Sequence, residues 1–323
     1  MPRRSLPSWL LLAPLACSPA APTPSNPPEP LPLPTIDVGP GELEAYGWYR
    51  DGVVLCLRAE SPRLVSIPLP DGPATDLPWP LGNDARCDRV AIGDTLVCIA
   101  GYDAGIGCIA KDGDGQVLRP AIDGPPTGLA WDDRGLWIGT DGAGLWRWSP
   151  TGVAQRVIEL PDLTSGLAAG PFGIVWGTGG EFVWRTRVLR RGMDQPEWLR
   201  PPLPPNVECD NEPEVCEWVS NAVGTYRGLV WFTAVNAPAP LYAWHPQDGT
   251  WAEFQTVGEL HVGPSGALAV RDDGSLESYS PREEHFVELA VRLEPGDAPV
   301  AARGGLWALA GGRLRLLVSN ETR

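Results

Sequence analysis

Few residues of this 323-residue chain have the chemical types that catalysis requires. Histidine, the usual general base near neutral pH, occurs only at His245, His261 and His285. His245 stands in a corner motif that recurs along the chain, and His285 follows two glutamates in a polar stretch, so we assign both to structure. No Gly-x-Ser-x-Gly motif supplies an activated serine, and Ser265 falls in a predicted turn. Among the histidines, His261 is left as the one candidate for chemistry or ligand binding.

Metal-binding patterns are also sparse in the sequence. Neither a His-x-His nor a Cys-x-x-Cys spacing is present. Residues 112–115 read Asp-Gly-Asp-Gly, as a calcium loop begins, but Gln-Val-Leu follows where a bidentate acid would be needed. We therefore expect a turn at 112–115, no metal and no cofactor.

The element that must position any site is a repeat, seen in full at 127–152. An apolar run begins at Gly135, the turn Asp-Gly-Ala-Gly occupies 141–144, and a second apolar run ends at Trp148-Ser149-Pro150. Trp, Ile and Leu favour strands, glycine suits the turn, and proline ends the pairing because it lacks an N–H. The segment therefore predicts a strand, a tight turn and a second strand.

This unit recurs with a period of about 40 residues, and one interval is about 55. The anchors, each a small residue before an apolar run, are Gly52, Thr95, Gly135, Gly173, Gly228, Gly266 and Gly305. Such a period is typical of propeller blades. We predict an all-β β-propeller of seven blades, with six as the alternative. Because few residues follow the last anchor, a strand near 33–38 is expected to complete the seventh blade.

Two resemblances support this interpretation. The segment from Gly135 to Leu145, GLWIGTDGAGL, resembles the propeller repeat in sensor portions of two-component regulators. No membrane helix, kinase or DNA-binding segment follows the repeats, so we do not carry regulator function over. The segment from Gly228, GLVWFTAVNAPAPLYAW, is similar to virginiamycin B lyase-like propellers, but that family's catalytic His and Glu positions have no match.

Tryptophan holds the same place in four units, two or three residues after the anchor. These residues are Trp137, Trp176, Trp231 and Trp307. Large rings fill gaps between twisted sheets, so we expect them to pack between blades.

The N-terminus is typical of an exported protein. Two arginines precede a short apolar run in 1–17, and Leu15-Ala16-Cys17 resembles the lipobox of bacterial lipoproteins, in which the cysteine is acylated. Residues 18–34 are rich in proline and form a predicted extended tether, and 35–323 form the propeller. We expect an extracytoplasmic protein anchored through Cys17, with plain secretion as the alternative.

Six further cysteines, an even number in an exported chain, indicate disulfides. Cys209 and Cys216 flank an acidic loop and are predicted to pair. The other four, Cys56, Cys87, Cys98 and Cys108, allow three connectivities, each of which would link blades one and two.

A formal charge of −15 argues against nucleic acid and anionic lipid surfaces as partners. We expect a monomeric binding or scaffold propeller at the cell envelope that recognises a protein, peptide or glycan on one face. The alternative is a propeller lyase or hydrolase with a channel site near His261. The candidate contact residues are Tyr102, Asp103, Asp141, Glu181, Asn236 and His261, beside the long loop at 201–216.

Overall fold

The structure is a computed structural model that describes residues 33–179, 184–200, 220–234, 241–256 and 258–319. Within these residues the regular structure consists of twenty-seven strands, which form seven antiparallel sheets arranged as the blades of a β-propeller. The prediction of seven blades is therefore confirmed.

The strands of each blade follow one another from the axis to the rim. The innermost strands are β2 (Glu42–Tyr49), β6 (Arg89–Ile92), β9 (Pro126–Asp132), β13 (Leu163–Gly170), β17 (Ser220–Tyr226), β21 (Glu259–Gly263) and β25 (Ala298–Ala302). The second strands are β3 (Gly52–Arg58), β7 (Leu96–Gly101), β10 (Gly135–Thr140), β14 (Gly173–Gly179), β18 (Leu229–Ala234), β22 (Gly266–Val270) and β26 (Gly305–Ala310).

The third and outermost strands form the outer half of each blade. The third strands are β4 (Arg63–Pro68), β8 (Gly105–Ala110), β11 (Gly144–Trp148), β15 (Trp184–Arg190), β19 (Leu241–Trp244), β23 (Ser275–Ser280) and β27 (Arg313–Ser319). The outermost strands are β5 (Thr75–Leu77), β12 (Gln155–Ile158), β16 (Glu197–Leu199), β20 (Trp251–Phe254), β24 (His285–Arg292) and β1 (Thr35–Asp37).

The N-terminal strand β1 closes the ring. It pairs antiparallel with β27, from Thr35 opposite Arg315 to Asp37 opposite Arg313, and so becomes the fourth strand of blade 7. The predicted closing strand at 33–38 is confirmed. Closure of this kind covers a sheet edge that would otherwise be open.

The anchors lie at or just before the starts of the second strands, and at two of them glycine has a packing reason. Gly305 has φ of 145°, and a Cβ there would collide with the carbonyl oxygen of Val318 on the third strand of the same blade. Gly135 is similar, with φ of 151° and the carbonyl oxygen of Trp148 in the way. A side chain at either position would force the second and third strands apart.

The hydrophobic core is divided into seven clusters, one between each pair of neighbouring blades. The four repeated tryptophans lie in these clusters, and Trp176, Trp231 and Trp307 are fully buried. Their predicted role in packing between blades is confirmed. Because each blade presents two apolar faces to its neighbours, the ring is stabilised around its whole circumference.

Blade 2 is the exception, because its sheet has three strands. In place of an outermost strand, Leu118 makes a single bridge to Cys108 through two backbone hydrogen bonds of 2.8 and 2.9 Å. Both described disulfides involve this blade. Cys98–Cys108 joins its second and third strands, and Cys56–Cys87 links β3 of blade 1 to the residues just before β6. Covalent links thus lie where the sheet is narrowest.

Candidate functional site

The innermost strands of all seven blades surround an axial channel of about 700 Å³. Its charged wall residues are Glu44, Asp88, Arg89 and Glu259, and its aromatic wall residues are Tyr46, Trp48 and Trp131. Most of the remaining wall is formed by glycine, alanine and aliphatic side chains. A concave site of this size has room for a small molecule.

His261 lies in this channel wall, on strand β21 of blade 6, and is 9% exposed. Its Nδ1 lies 3.4 Å from the hydroxyl oxygen of Tyr46 on strand β2 of blade 1. The same hydroxyl accepts the backbone N–H of Ala301, on the intervening strand β25, at 3.3 Å. The Tyr46 oxygen accepts from Ala301, and its own hydrogen can be donated to Nδ1. In that arrangement the single N–H hydrogen of a neutral imidazole is on Nε2.

Glu259 completes this cluster. Its Oε1 lies 3.5 Å from Nε2 of His261, and its side chain is 76% exposed. Nε2 nevertheless has no hydrogen-bond partner among the described residues, and 3.5 Å is longer than an ordinary N–H···O hydrogen bond. Next to the cluster, the indole N–H of Trp48 donates to the carbonyl oxygen of Val262 at 3.3 Å. These contacts of Tyr46 and Trp48 therefore join blade 1 to blade 6 past the innermost strand of blade 7, β25.

The environment of the cluster favours uncharged forms of both rings. Burial lowers the pKa of His261 from its ordinary value, and the negative charge of Glu259 only partly offsets this. Burial also raises the pKa of the Tyr46 phenol to about 12, against a smaller lowering by the Ala301 hydrogen bond. A neutral imidazole with Nδ1 engaged and Nε2 enclosed is poorly placed to take a proton from a substrate. The geometry fits a structural and ligand-positioning cluster better than a general acid and base pair.

The turn face is defined here as the face that carries the connections between second and third strands, at 102–104 in blade 2 and 141–143 in blade 3. Tyr102 is 44% exposed on this face. Its hydroxyl donates to Oδ2 of Asp141 in the next blade at 2.5 Å, and its backbone N–H donates to Oδ2 of Asp88 at 2.8 Å. The hydrogen bond to Asp141 raises the pKa of the Tyr102 phenol. Asp103 lies beside it and is exposed.

The structure therefore brings some of the sequence-predicted residues together and separates others. Tyr102, Asp103 and Asp141 lie together on the turn face, whereas His261 lies in the channel wall. Glu181 and Asn236 are outside the described residues. So are Cys17, the predicted pair Cys209 and Cys216, and the loop at 201–216.

Sequence reasoning missed Tyr46 and Glu259. A signal was available, because residues at similar distances before an anchor stand at similar heights in the channel. Tyr46 comes six residues before the anchor Gly52, and His261 comes five before Gly266. Aligning the inner strands by their anchors would have placed the two rings at nearly the same level.

Within the described part of the chain, His, Cys, Asp and Glu side chains form no group of three or more suited to holding a metal ion. Over the same residues, we find no helix of the length and apolar character needed to cross a membrane.

No protein-family model matches the chain, and no curated protein matches it. Solved structures do match, at low sequence identity. A chain of the mitotic checkpoint complex superposes with a TM-score of 0.61 and 13% identity, over 97% of this chain and 100% of that chain. The WD40 β-propeller domain of Doa1 gives a TM-score of 0.59 and 10% identity, over 88% of this chain and 95% of that one.

A third structure, YCF48 bound to a D1 peptide, gives a TM-score of 0.57 and 12% identity, over 89% of this chain and 97% of that chain. At these identities the likeness concerns the fold alone. Fold, strand order and structural likeness together define the chain as a seven-bladed β-propeller.

Proposed function

We propose that the protein is a non-catalytic binding propeller at the bacterial cell envelope, which uses its turn face to recognise a protein, peptide or glycan. The observation that carries this proposal is the fixed position of Tyr102. The side chain is 44% exposed, yet its hydroxyl is held by Asp141 and its backbone by Asp88.

An exposed tyrosine held in this way is well suited to binding. Tyrosine is enriched at interfaces because it offers a large apolar face and a polar tip. Because Tyr102 is already held in one orientation, less conformational entropy is lost when a partner packs on its ring. The acidic residues around it, Asp88, Asp103 and Asp141, favour a partner with basic or hydrogen-donating groups.

Two of the similar solved structures support a binding role. YCF48 carries a D1 peptide, and the checkpoint chain belongs to a multiprotein complex. Propellers with similar architecture thus occur in peptide-bound and assembled states, and the fold hosts many functions.

The disulfides and the N-terminal sequence support the proposed location at the cell envelope. Cys56–Cys87 and Cys98–Cys108 are consistent with an oxidising, extracytoplasmic compartment. The lipobox-like residues ending at Cys17 and the proline-rich tether at 18–34 support a lipid anchor. Mass spectrometry of the mature protein tests this: a diacylglyceryl group on an N-terminal Cys17 supports the anchor, and an unmodified N-terminus at Ser18 or later removes it.

The lyase or hydrolase alternative would place its chemistry at His261. The enclosed Nε2 and the raised pKa of Tyr46 disfavour it. Turnover of an envelope polysaccharide or peptide that is lost on His261→Ala would establish the alternative.

Binding at the turn face is tested by affinity capture from envelope extracts with quantitative mass spectrometry. We expect a saturable partner to be retained by the wild-type protein and lost with Tyr102→Ala, while Asp141→Asn weakens retention. Val153→Ala is the control, because Val153 is 80% exposed on the opposite face. Equal retention by the wild-type, Tyr102→Ala and Val153→Ala proteins would contradict the proposal.

A further inference from the structure

The Tyr102 site on the turn face is supported by a segment that begins in another blade. Tyr102 lies in the turn of blade 2, and its backbone N–H donates to Oδ2 of Asp88 at 2.8 Å. Asp88 is itself fixed by its backbone N–H, which donates to the carbonyl oxygen of Ala100 at 2.8 Å. Asp88 comes directly before strand β6 and ends the irregular segment 78–88, which links blades 1 and 2. The position of Tyr102 therefore depends on where this segment ends.

Cys87, the residue before Asp88, is held from blade 1 in two ways. Its sulfur forms the disulfide with Cys56 on strand β3, and both cysteines are buried. Its backbone N–H donates to Oε2 of Glu44 on strand β2 at 3.0 Å. The Glu44 side chain is only 9% exposed, so this charge-assisted hydrogen bond is shielded from water. A covalent bond and a hydrogen bond thus fix the end of the segment relative to blade 1.

The same segment packs tightly against the hairpin that carries Tyr102. A Cβ added at Gly101, the last residue of strand β7, would collide with the carbonyl oxygen of Arg86. Glycine at this position lets the two backbones approach each other closely. Because no space separates them, a displacement at Cys87 would also displace the start of the turn at 102–104.

We propose that Cys87 is the positioning residue of the turn-face site, and that its disulfide with Cys56 sets the position of Tyr102 through Asp88. This inference rests on the proposed function, because it concerns the same binding site. Tyr102 is held from both neighbouring blades, from blade 1 by way of the disulfide and from blade 3 by Asp141. A partner that packs on Tyr102 then meets a ring that is already in place, which lowers the entropic cost of binding.

The second disulfide, Cys98–Cys108, is a matched comparison within the same blade. It joins strands β7 and β8, which already pair over six residue pairs. Because this ladder of hydrogen bonds holds the hairpin, removal of the second disulfide should leave the Tyr102 turn in place. Cys56–Cys87 instead joins a strand to a segment without regular structure. The two disulfides should therefore differ in their effect on Tyr102.

Residue-resolved hydrogen exchange of the full chain tests the positioning without a partner. In Cys56→Ala/Cys87→Ala the backbone amide of Tyr102 is expected to exchange at least about tenfold faster than in the wild-type protein, the size of one lost charge-assisted hydrogen bond.

Two controls separate positioning from general stability. Cys98→Ala/Cys108→Ala removes the other disulfide, and Gly305→Ala is expected to destabilise the distant blade 7. Both should leave the Tyr102 amide at its wild-type rate. An unchanged Tyr102 amide in the variant without Cys56 and Cys87, or the same acceleration in either control, overturns the proposal.

Glu44 provides a milder test that keeps both disulfides. Glu44→Ala removes the acceptor of the Cys87 N–H and is expected to accelerate exchange of the Tyr102 amide severalfold. Glu44→Gln keeps an acceptor oxygen and should stay closer to the wild-type rate. Equal rates in Glu44→Ala, Glu44→Gln and the wild-type protein contradict positioning through Cys87.

Photo-crosslinking from position 103 connects the positioning to the partner and separates it from the proposed function. We expect the crosslinked product of the wild-type protein to be reduced severalfold in Cys56→Ala/Cys87→Ala and retained when the second disulfide is removed instead. A product retained in full while the Tyr102 amide exchanges faster overturns the inference, although turn-face binding stands. No product from the wild-type protein contradicts turn-face binding, whereas the exchange rates still decide how Tyr102 is positioned.

Discussion

The hydroxyl of Tyr46 and Nδ1 of His261 meet at 3.4 Å although the two residues are 215 positions apart in sequence. The contact is possible because the strand between them, β25, has small side chains at Ala298, Ala301 and Ala302. It joins the first and sixth blades past the seventh, which is the blade that closes the ring. The contact between Tyr46 and His261 therefore helps to hold the ring closed, and it forms part of the channel wall.

Tyr46→Phe should destabilise the fold. The change removes the acceptor for the Ala301 N–H and the partner of Nδ1 in a largely enclosed site, so we expect a loss of about 1–3 kcal/mol in the free energy of unfolding. Urea titration followed by tryptophan fluorescence measures it. The control is Tyr49→Phe on the same strand, whose hydroxyl has a single 3.4 Å contact with Ser66. An equal loss in both variants would show that the Tyr46 hydroxyl stabilises the fold no more than the Tyr49 hydroxyl does.

His261 should make the fold sensitive to acid. Its pKa is lowered in the folded state, so the unfolded chain binds a proton first as pH falls. Stability is therefore full above the ordinary histidine pKa of about 6.5 and decreases below it, down to the folded-state pKa. Tyr46 and Glu259 are the titratable groups that face the ring.

We expect the melting temperature to fall less between about pH 7.5 and about pH 5.5 in His261→Gln than in the wild-type protein. His285→Gln, at an exposed site, should leave the wild-type slope unchanged. An identical slope in all three proteins would mean that His261 does not control acid sensitivity.

Gly305→Ala should be strongly destabilising. Gly305 combines φ of 145° with a third-strand carbonyl in the space of a Cβ, so we expect a loss of about 2 kcal/mol or more. Gly266→Ala, at the equivalent anchor of blade 6, is the matched control. There the nearest atom to a Cβ is Oγ of Ser278 at 4.0 Å. Chemical denaturation of both variants checks the difference, and a similar small effect at both sites would contradict the packing account of the anchor.

The two disulfides should contribute unequally to the free energy of unfolding. They close loops with sequence separations of 31 for Cys56–Cys87 and 10 for Cys98–Cys108. In the chain-entropy account the longer loop is worth on the order of 1 kcal/mol more. We expect the double alanine variant of the first pair to lose more stability than that of the second, in denaturation under non-reducing conditions. The reverse order would show that Cys98–Cys108 acts mainly by holding the three-stranded blade together.

The fold could be predicted from sequence because its signals are local. Each anchor places a small residue before an apolar run, so counting anchors gave the number of blades and the need for a closing strand. The cysteine pairing could not be predicted, because four cysteines in two adjacent blades allow three connectivities and their proximity depends on the packed ring. The partner of His261 lies on blade 1, so no local pattern links it to blade 6, and only an alignment of the inner strands by their anchors would have placed Tyr46 near it.

We infer that the turn face, rather than the opposite face or the channel, carries the protein's function. The most direct test places a photo-crosslinking amino acid at position 103, next to Tyr102, in living cells, with position 153 on the opposite face as control. We predict one discrete crosslinked product from position 103, lost with Tyr102→Ala and reduced severalfold with Asp141→Asn, and none from position 153. No product at 103, or the same product from both positions, would contradict binding at the turn face.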